Sequence, residues 1–321
     1  MTIFRLVAAL LAAVLIAVPA AAQTVRVFDL PKGAKPHDVS PGAGGMVWYT
    51  AQGQGALGIL DPASGKVEQV PLGEGSAPHG VIMGPDGAAW ITDSGLNAIV
   101  RWDPVTRTQK NWVLPEDTGY ANLNTAAFDA AGVLWFTGQS GFYGKVDPKA
   151  DSIAVWAAPK GRGPYGIDAT PEGEIYYVSL AGSHLAKIDR ATGEARMIEH
   201  PEPGQGARRV WADSKGMLWV SEWNAGHLAR YNPETGSWSR WKLPGDKPRA
   251  YAVYVDERDI VWVSEWSANA TLAFDPASER FIATIPGSAP GANVRQILGR
   301  KGEVWLPESA LDRLVLVKTD P

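Results

Sequence analysis

The sequence predicts an all-β chain folded as one seven-bladed β-propeller with four strands per blade, and three observations carry the prediction. The first is a column of aromatics that recurs every 41 to 45 residues: Trp48, Trp90, Trp135, Tyr176, Trp219, Trp262 and Trp305. The second is an independent column at the same period, Asp61-Pro62, Asp103-Pro104, Asp147-Pro148, Asp189-Arg190, Asn232-Pro233, Asp275-Pro276 and Asp320-Pro321. The third is at the ends: the last repeat stops before a fourth strand, and Thr24–Pro31 has the look of the missing one. Two columns holding one period identify a repeated supersecondary unit, and Gly- and aromatic-rich four-strand units of this length are propeller blades.

Each unit reads the same way. Strand A ends in a Gly or Asp turn, strand B carries the aromatic, strand C runs to Asp-Pro, and strand D alternates, as in Lys66–Val70 and Ser237–Trp241. The aromatic column is expected to pack between neighbouring blades. The N-terminal strand is expected to pair into the last blade, leaving no open sheet edge at the seam.

Ahead of the repeats, Arg5, the apolar run Leu6–Val18 and Pro19-Ala20-Ala21-Ala22 read as a signal peptide over residues 1–22, cleaved before Gln23. Residues 23–321 then form the single propeller domain, expected in a periplasm or secreted, with no membrane contact after cleavage. The formal net charge is −4 with no basic block, so nucleic-acid binding has no electrostatic basis. The chain has no Cys, which excludes disulfides, thiolate nucleophiles, Fe–S clusters and Cys-bound zinc. Gly53-Gln54-Gly55-Ala56-Leu57-Gly58 matches a dinucleotide fingerprint but precedes a strand, so it is a B–C loop without a helix end to hold a pyrophosphate. A closed ring has no need of a partner copy, and a monomer is expected.

In a propeller the D–A and B–C loops share one face, so residues opening strand A and closing strand B surround one mouth of the central channel. Eleven positions before the aromatic column stand His37, His79, Asn124, Tyr165, Arg208, Tyr251 and Val294. Three positions after it stand Ala51, Asp93, Gly138, Ser179, Glu222, Glu265 and Glu308. Both sets vary between blades, and that variation gives a symmetric scaffold an asymmetric site. Asp93, Glu222, Glu265 and Glu308 are candidate metal ligands, with Mg²⁺ the expected ion and Ca²⁺ the alternative. Capping of loop N–H groups and pairing with Arg208, Arg209, Arg249 and Arg295 is the structural alternative. His37 and His79, with Asp93 in the second blade, are candidate bases or ligands. Arg208, Arg249, Arg295, Asn124 and Tyr165 are candidate substrate contacts. Trp223 and Trp266, each directly after a rim glutamate, can offer flat faces to a ligand or pack one loop on the next.

Pro78-His79-Gly80-Val81, Pro164-Tyr165-Gly166-Ile167, the segment Gly84–Thr92, Val133–Thr137 and Leu218–Glu222 resemble the virginiamycin B lyase family along the whole mature chain. NHL-type and gluconolactonase-like propellers share parts of the pattern. The resemblance implies Mg²⁺-dependent opening of a cyclic depsipeptide by elimination, with a base beside the ester carbonyl, a metal polarising it and an acid for the leaving group. It places a catalytic glutamate on Glu308. Its two histidines fall on Tyr251 and near Asn293-Val294, so this chain lacks both imidazoles there. Catalytic candidates are therefore Glu308, Glu265, Tyr251, His79 and His37. Three functions remain open at this stage: a lyase on a cyclic ester or peptide-like ligand, a metal-dependent lactonase, and a non-catalytic propeller that binds a peptide, glycan or protein.

Overall fold

The computed structural model describes residues 24–319, so the signal-peptide reading and the last Asp-Pro pair lie outside it. Seven antiparallel four-stranded sheets are arranged as blades, each in the spatial order A-B-C-D. In blade one these strands are Pro36–Pro41, Val47–Ala51, Ala56–Leu60 and Val67–Pro71. Blade seven takes A, B and C from Leu298–Arg300, Glu303–Glu308 and Arg313–Lys318, and its outer strand is Val25–Asp29 from the N-terminus. That strand pairs from Val25 with Val317 to Asp29 with Arg313, which closes the ring as expected.

The two repeat columns have separate physical roles. The Trp residues of the first column are at most 1% exposed and lie in the clusters between sheets. In blades three, five and six an Asp six residues earlier accepts the indole N–H: Asp129 from Trp135 at 3.0 Å, Asp213 from Trp219 at 2.9 Å, Asp256 from Trp262 at 2.9 Å. The same carboxylates accept backbone N–H groups of the A–B turn, so one Asp fixes both the turn and the indole. The Asp-Pro column forms Asx turns, as where Asp61 accepts from Ala63 N at 2.9 Å and Asp103 from Val105 N at 2.9 Å.

Strand A carries an irregularity at its opening in blades one to six. In blade one Pro36 pairs with Ala51 but Val39 pairs with Tyr49, so His37 and Asp38 together oppose one residue. Such a bulge re-aims side chains and frees a backbone N–H. In blades one, two, three, five and six strand B answers it with a hydroxyl two residues after the aromatic; blade four has Val178 there. Thr50 accepts from Asp38 N at 2.9 Å and donates to His79 O of the next blade at 2.8 Å. Ser221 accepts from Arg209 N at 3.0 Å and donates to Tyr251 O at 2.7 Å. Each hydroxyl thus satisfies one bulge and positions the channel residue of the following blade. The Pro-x-Gly signature has the same origin. A Cβ on Gly80 would lie 2.7 Å from Asn124 O, and one on Gly166 would lie 2.7 Å from Arg209 Cα, so a side chain at either position would collide with the neighbouring blade.

Candidate functional site

The bulges bring His37, His79, Asn124, Tyr165, Arg208 and Tyr251 around one end of the channel, as the spacing predicts. Blade seven differs. Leu298 pairs with Trp305 at a separation one residue shorter than Trp211 with Trp219 or Tyr254 with Trp262. Its A–B turn has lost a residue, and Val294 bridges Glu308 where Ala250 pairs with Glu265. The channel position is therefore Arg295, not Val294.

Tyr251 is the hub of the mouth. Its hydroxyl lies 3.1 Å from Tyr165 Oη, 3.2 Å from Arg295 Nη1 and 3.5 Å from His37 Nε2. Arg208 lies 3.9 Å above its ring and donates to Tyr165 Oη at 2.7 Å. Trp266 stacks on the ring at 4.9 Å, and Trp223 meets it edge-on at 5.9 Å. Arg249 is exposed and covers Trp223 at 5.0 Å, and Arg295 lies over Trp266 at 4.9 Å. Aromatics and guanidiniums interleave here, and Tyr251 is only 1% exposed beneath them.

Burial opposes ionisation of Tyr251, but the guanidiniums of Arg208, Arg295 and Arg209 outweigh it and bring the phenol down to about 8. Tyr165 moves the other way, pushed up to about 12 by burial and by the charge that would sit on Tyr251. Tyr251 is thus the phenol that ionises and Tyr165 the one that donates to it.

Below Tyr251 lies a second layer. His37 Nδ1 meets Asp38 Oδ1 at 2.7 Å, the His37 and His79 rings are 3.8 Å apart, and His79 Nδ1 is 3.1 Å from Asn124 O. Arg209, 1% exposed, reaches Asp38 Oδ1 at 3.4 Å and donates to the Thr125 hydroxyl. Burial, followed by the field of Arg295, Arg209 and Arg208, holds His37 well below the usual histidine range. Burial, followed by His37, does the same for His79, and burial raises Asp38. Neutral His37 therefore gives its Nδ1 proton to Asp38 and keeps Nε2 as an acceptor toward Tyr251.

The rim carboxylates do not meet. Asp93 accepts from Ala77 N at 2.9 Å and Leu96 N at 3.0 Å. Glu265 accepts from Arg249 N at 2.7 Å and Ser267 N at 3.0 Å. Glu308 accepts from Ser288 N at 2.7 Å. Glu222 is held by Arg240 at 2.6 Å and by His200 at 3.0 Å. Each is buried; Asp93, Glu265 and Glu308 cap N–H groups of adjoining loops, and Glu222 pairs with Arg240 of strand D and with His200, so local pairing separates the four that spacing grouped. Asp93 likewise does not pair with His79. Among the described residues the one cluster of three metal-type ligands is His37, Asp38 and His79, with atoms within 4.8 Å of one another. It offers one carboxylate, already shared with His37 and Arg209, under three guanidiniums. A hard cation such as Mg²⁺ seeks several oxygens and a negative field, so these residues do not fit it.

Asp38 and Gln296 escape the spacing argument because it samples one residue per blade. The bulge turns two inward, and the legible signal is the residue after each channel position.

The fold and this mouth define a class: a closed propeller whose bulge residues gather around one end of its channel. The profile of the virginiamycin B lyase family matches residues 7–266, and the chain belongs to that family. A comparison with curated proteins returned no match. Among solved structures, virginiamycin B lyase from Staphylococcus aureus superposes with a TM-score of 0.85 at 18% identity, covering 93% of this chain and 100% of that one. A catalytically inactive variant of the same enzyme with quinupristin gives 0.83 at 18% identity, with coverage of 93% and 100%. Kuenenia stuttgartiensis hydrazine synthase gives 0.74 at 12% identity, with coverage of 90% and 96%. The fold thus carries unrelated chemistries, and the site has to decide between them.

Proposed function

We propose that this protein is an extracytoplasmic lyase that opens a cyclic ester or peptide-like ring by elimination, with Tyr251 as the base. The observation that carries the reading is a buried phenol with Arg295 Nη1 3.2 Å from its hydroxyl and Arg208 3.9 Å above its ring, charges that together with Arg209 bring it down to about 8. A phenolate of that basicity is ionised in part at neutral pH and is a competent proton acceptor. Tyr251 takes the proton α to a carbonyl, and Arg208 or Arg295 offsets the charge that develops on that carbonyl oxygen. The C–O bond at the adjacent β-carbon breaks, a C=C bond forms, and the ester carboxylate leaves with the bonding pair. The proton on Tyr251 returns to solvent or to that carboxylate. The product is linear and has the mass of the ring. In this reading the guanidiniums do what the family resemblance assigns to a metal, and Tyr251 and Arg295 stand where it implies histidines.

Two features support the substrate class. Trp223 and Trp266 offer flat apolar area beside Arg208, Arg249 and Arg295, which suits a ring bearing carbonyl or carboxylate groups. Tyr165 adds a hydroxyl beside Tyr251, while Asn124 lies in the layer below with its Nδ2 3.2 Å from His79 Nε2. With Arg208 directly on the phenol, a substrate reaches Tyr251 only as that side chain swings away.

Mass spectrometry of the purified protein with a streptogramin B and a panel of lactones tests the reading. An isobaric ring-opened product that is lost in Tyr251→Phe supports it. A product heavier by one water, or no turnover of any compound, counts against it. The burial of Tyr251 favours a second reading, a receptor for an anionic ring-shaped ligand. Binding without turnover, lost in Arg249→Ala, is its signature.

A further inference from the structure

The channel also opens on the opposite face, where strand A of six blades encloses a cavity of about 370 Å³. Its walls include Val81, Ile82, Ala126, Phe128, Trp211 and Leu298, and its polar side chains include Asp38, Thr125, Asp168 and Gln296. The free polar atoms are acceptors. Gln296 is 3% exposed, and its Nε2 donates to Val253 O and Ile297 O at 3.2 Å, which leaves Oε1 without a partner. Asp168 accepts from Ala212 N at 2.7 Å and belongs to no ion pair among the described residues. Thr125 spends its proton on Asn124 Oδ1 at 2.7 Å. Arg300, the cationic side chain of the lining, is committed to Glu303 at 2.8 Å and Gly45 O at 3.0 Å.

A pocket with aromatic walls and one uncompensated carboxyl lacks a positive donor. We propose that this cavity is a binding site for an organic cation, a primary or secondary amine on an aromatic or apolar body. The ammonium donates to Asp168, and the body lies against Trp211 and Phe128. The volume falls in the range of small-ligand pockets, about 300–1,000 Å³. The site is separate from the Tyr251 mouth and does not depend on the lyase reading.

Burial pushes Asp168 up to about 7, and the other ionisable groups of the lining are already paired, Asp38 with Arg209 and Arg300 with Glu303. Amine affinity therefore rises as Asp168 ionises, by about tenfold from pH 6 to pH 8. Calorimetric titration of the purified protein with benzylamine and tryptamine tests this, with 3-methylindole and indole-3-propionate as neutral and anionic controls. The expected result is amine binding at least about tenfold tighter than the neutral control, no gain for the anion, and loss of that advantage in Asp168→Asn. Thermal unfolding confirms that the variant is folded. Equal affinity for amine and neutral control, undiminished amine binding in Asp168→Asn, or no amine binding by folded protein overturns the proposal.

Discussion

The hydroxyl of Tyr251 lies 3.5 Å from Nε2 of His37, a residue 214 positions away in the chain, and His37 is tied in turn to Asp38 at 2.7 Å. The three form a line from the arginine-covered mouth toward the cavity on the other face. His37 takes the position that orients an ionising hydroxyl, because Asp38 holds its Nδ1 proton and leaves Nε2 to face the phenol.

Turnover should rise with pH through the ionisation of Tyr251 near 8, because the phenolate is the active form. Tyr251→Phe should abolish it. Arg208→Gln removes one of the charges that lower the phenol, and should move the ascending limb to higher pH by about one unit, or 1.36 kcal/mol. A pH–rate profile measures both, and a limb that stays in place would refute the role given to Arg208.

His37 is expected to act by orientation. His37→Gln should lower kcat by about tenfold to a hundredfold, while KM stays within about twofold. The pH profile of kcat separates this from general misfolding: loss of the His37 contact shifts the ascending limb, whereas a smaller active fraction only scales kcat.

Removing metal should leave the protein unaffected. Treatment with EDTA is expected to change neither turnover nor unfolding temperature. Glu308→Gln should instead cost about 1–2 kcal/mol in urea denaturation, because the carboxylate accepts two hydrogen bonds from Ser288. Loss of activity on chelation, restored by Mg²⁺, would reinstate a metal centre.

Ser221 is fully buried and serves two blades at once. Ser221→Ala leaves Arg209 N and Tyr251 O without their partner and should destabilise by about 1–3 kcal/mol. It should also loosen Tyr251, which appears as a fall in kcat in the folded fraction.

Asp168 carries a pH-dependent cost. Its folded pKa is raised, so the wild type is fully stabilised below the ordinary carboxylate range and loses that stability as pH rises through about 7. Asp168→Asn keeps an acceptor for Ala212 N and should unfold at a higher temperature than wild type at pH 8, by on the order of 2 kcal/mol, but not at pH 4. Calorimetric scans at both values measure the difference.

The repeat was legible because blade geometry reuses the same local chemistry seven times. An indole at Trp135 or Trp219 needs its packing site, and an Asx turn at Asp61 or Asp103 needs a short acceptor, wherever the unit sits. The set His37, His79, Asn124, Tyr165, Arg208 and Tyr251 was legible for the same reason, since one period places one bulge per blade at the channel. Arg295 was not, because a single residue lost from the last A–B turn shifts the count by one and the aromatic column does not register it.

Sequence by itself therefore determined the ring, its closure by the N-terminal strand, and six of the residues that reach the mouth. Tertiary structure alone decided their company. A carboxylate at a strand end has hydrogen-bond donors close by in the chain, so Asp93, Glu265 and Glu308 are spent on loop N–H groups and Glu222 on Arg240 of strand D and His200. A guanidinium has no backbone acceptor in the mouth and settles on aromatic faces, where Arg208 and Arg295 converge on Tyr251 from different blades. Their summed field, set by distances that no local pattern encodes, brings a buried phenol below its ordinary range.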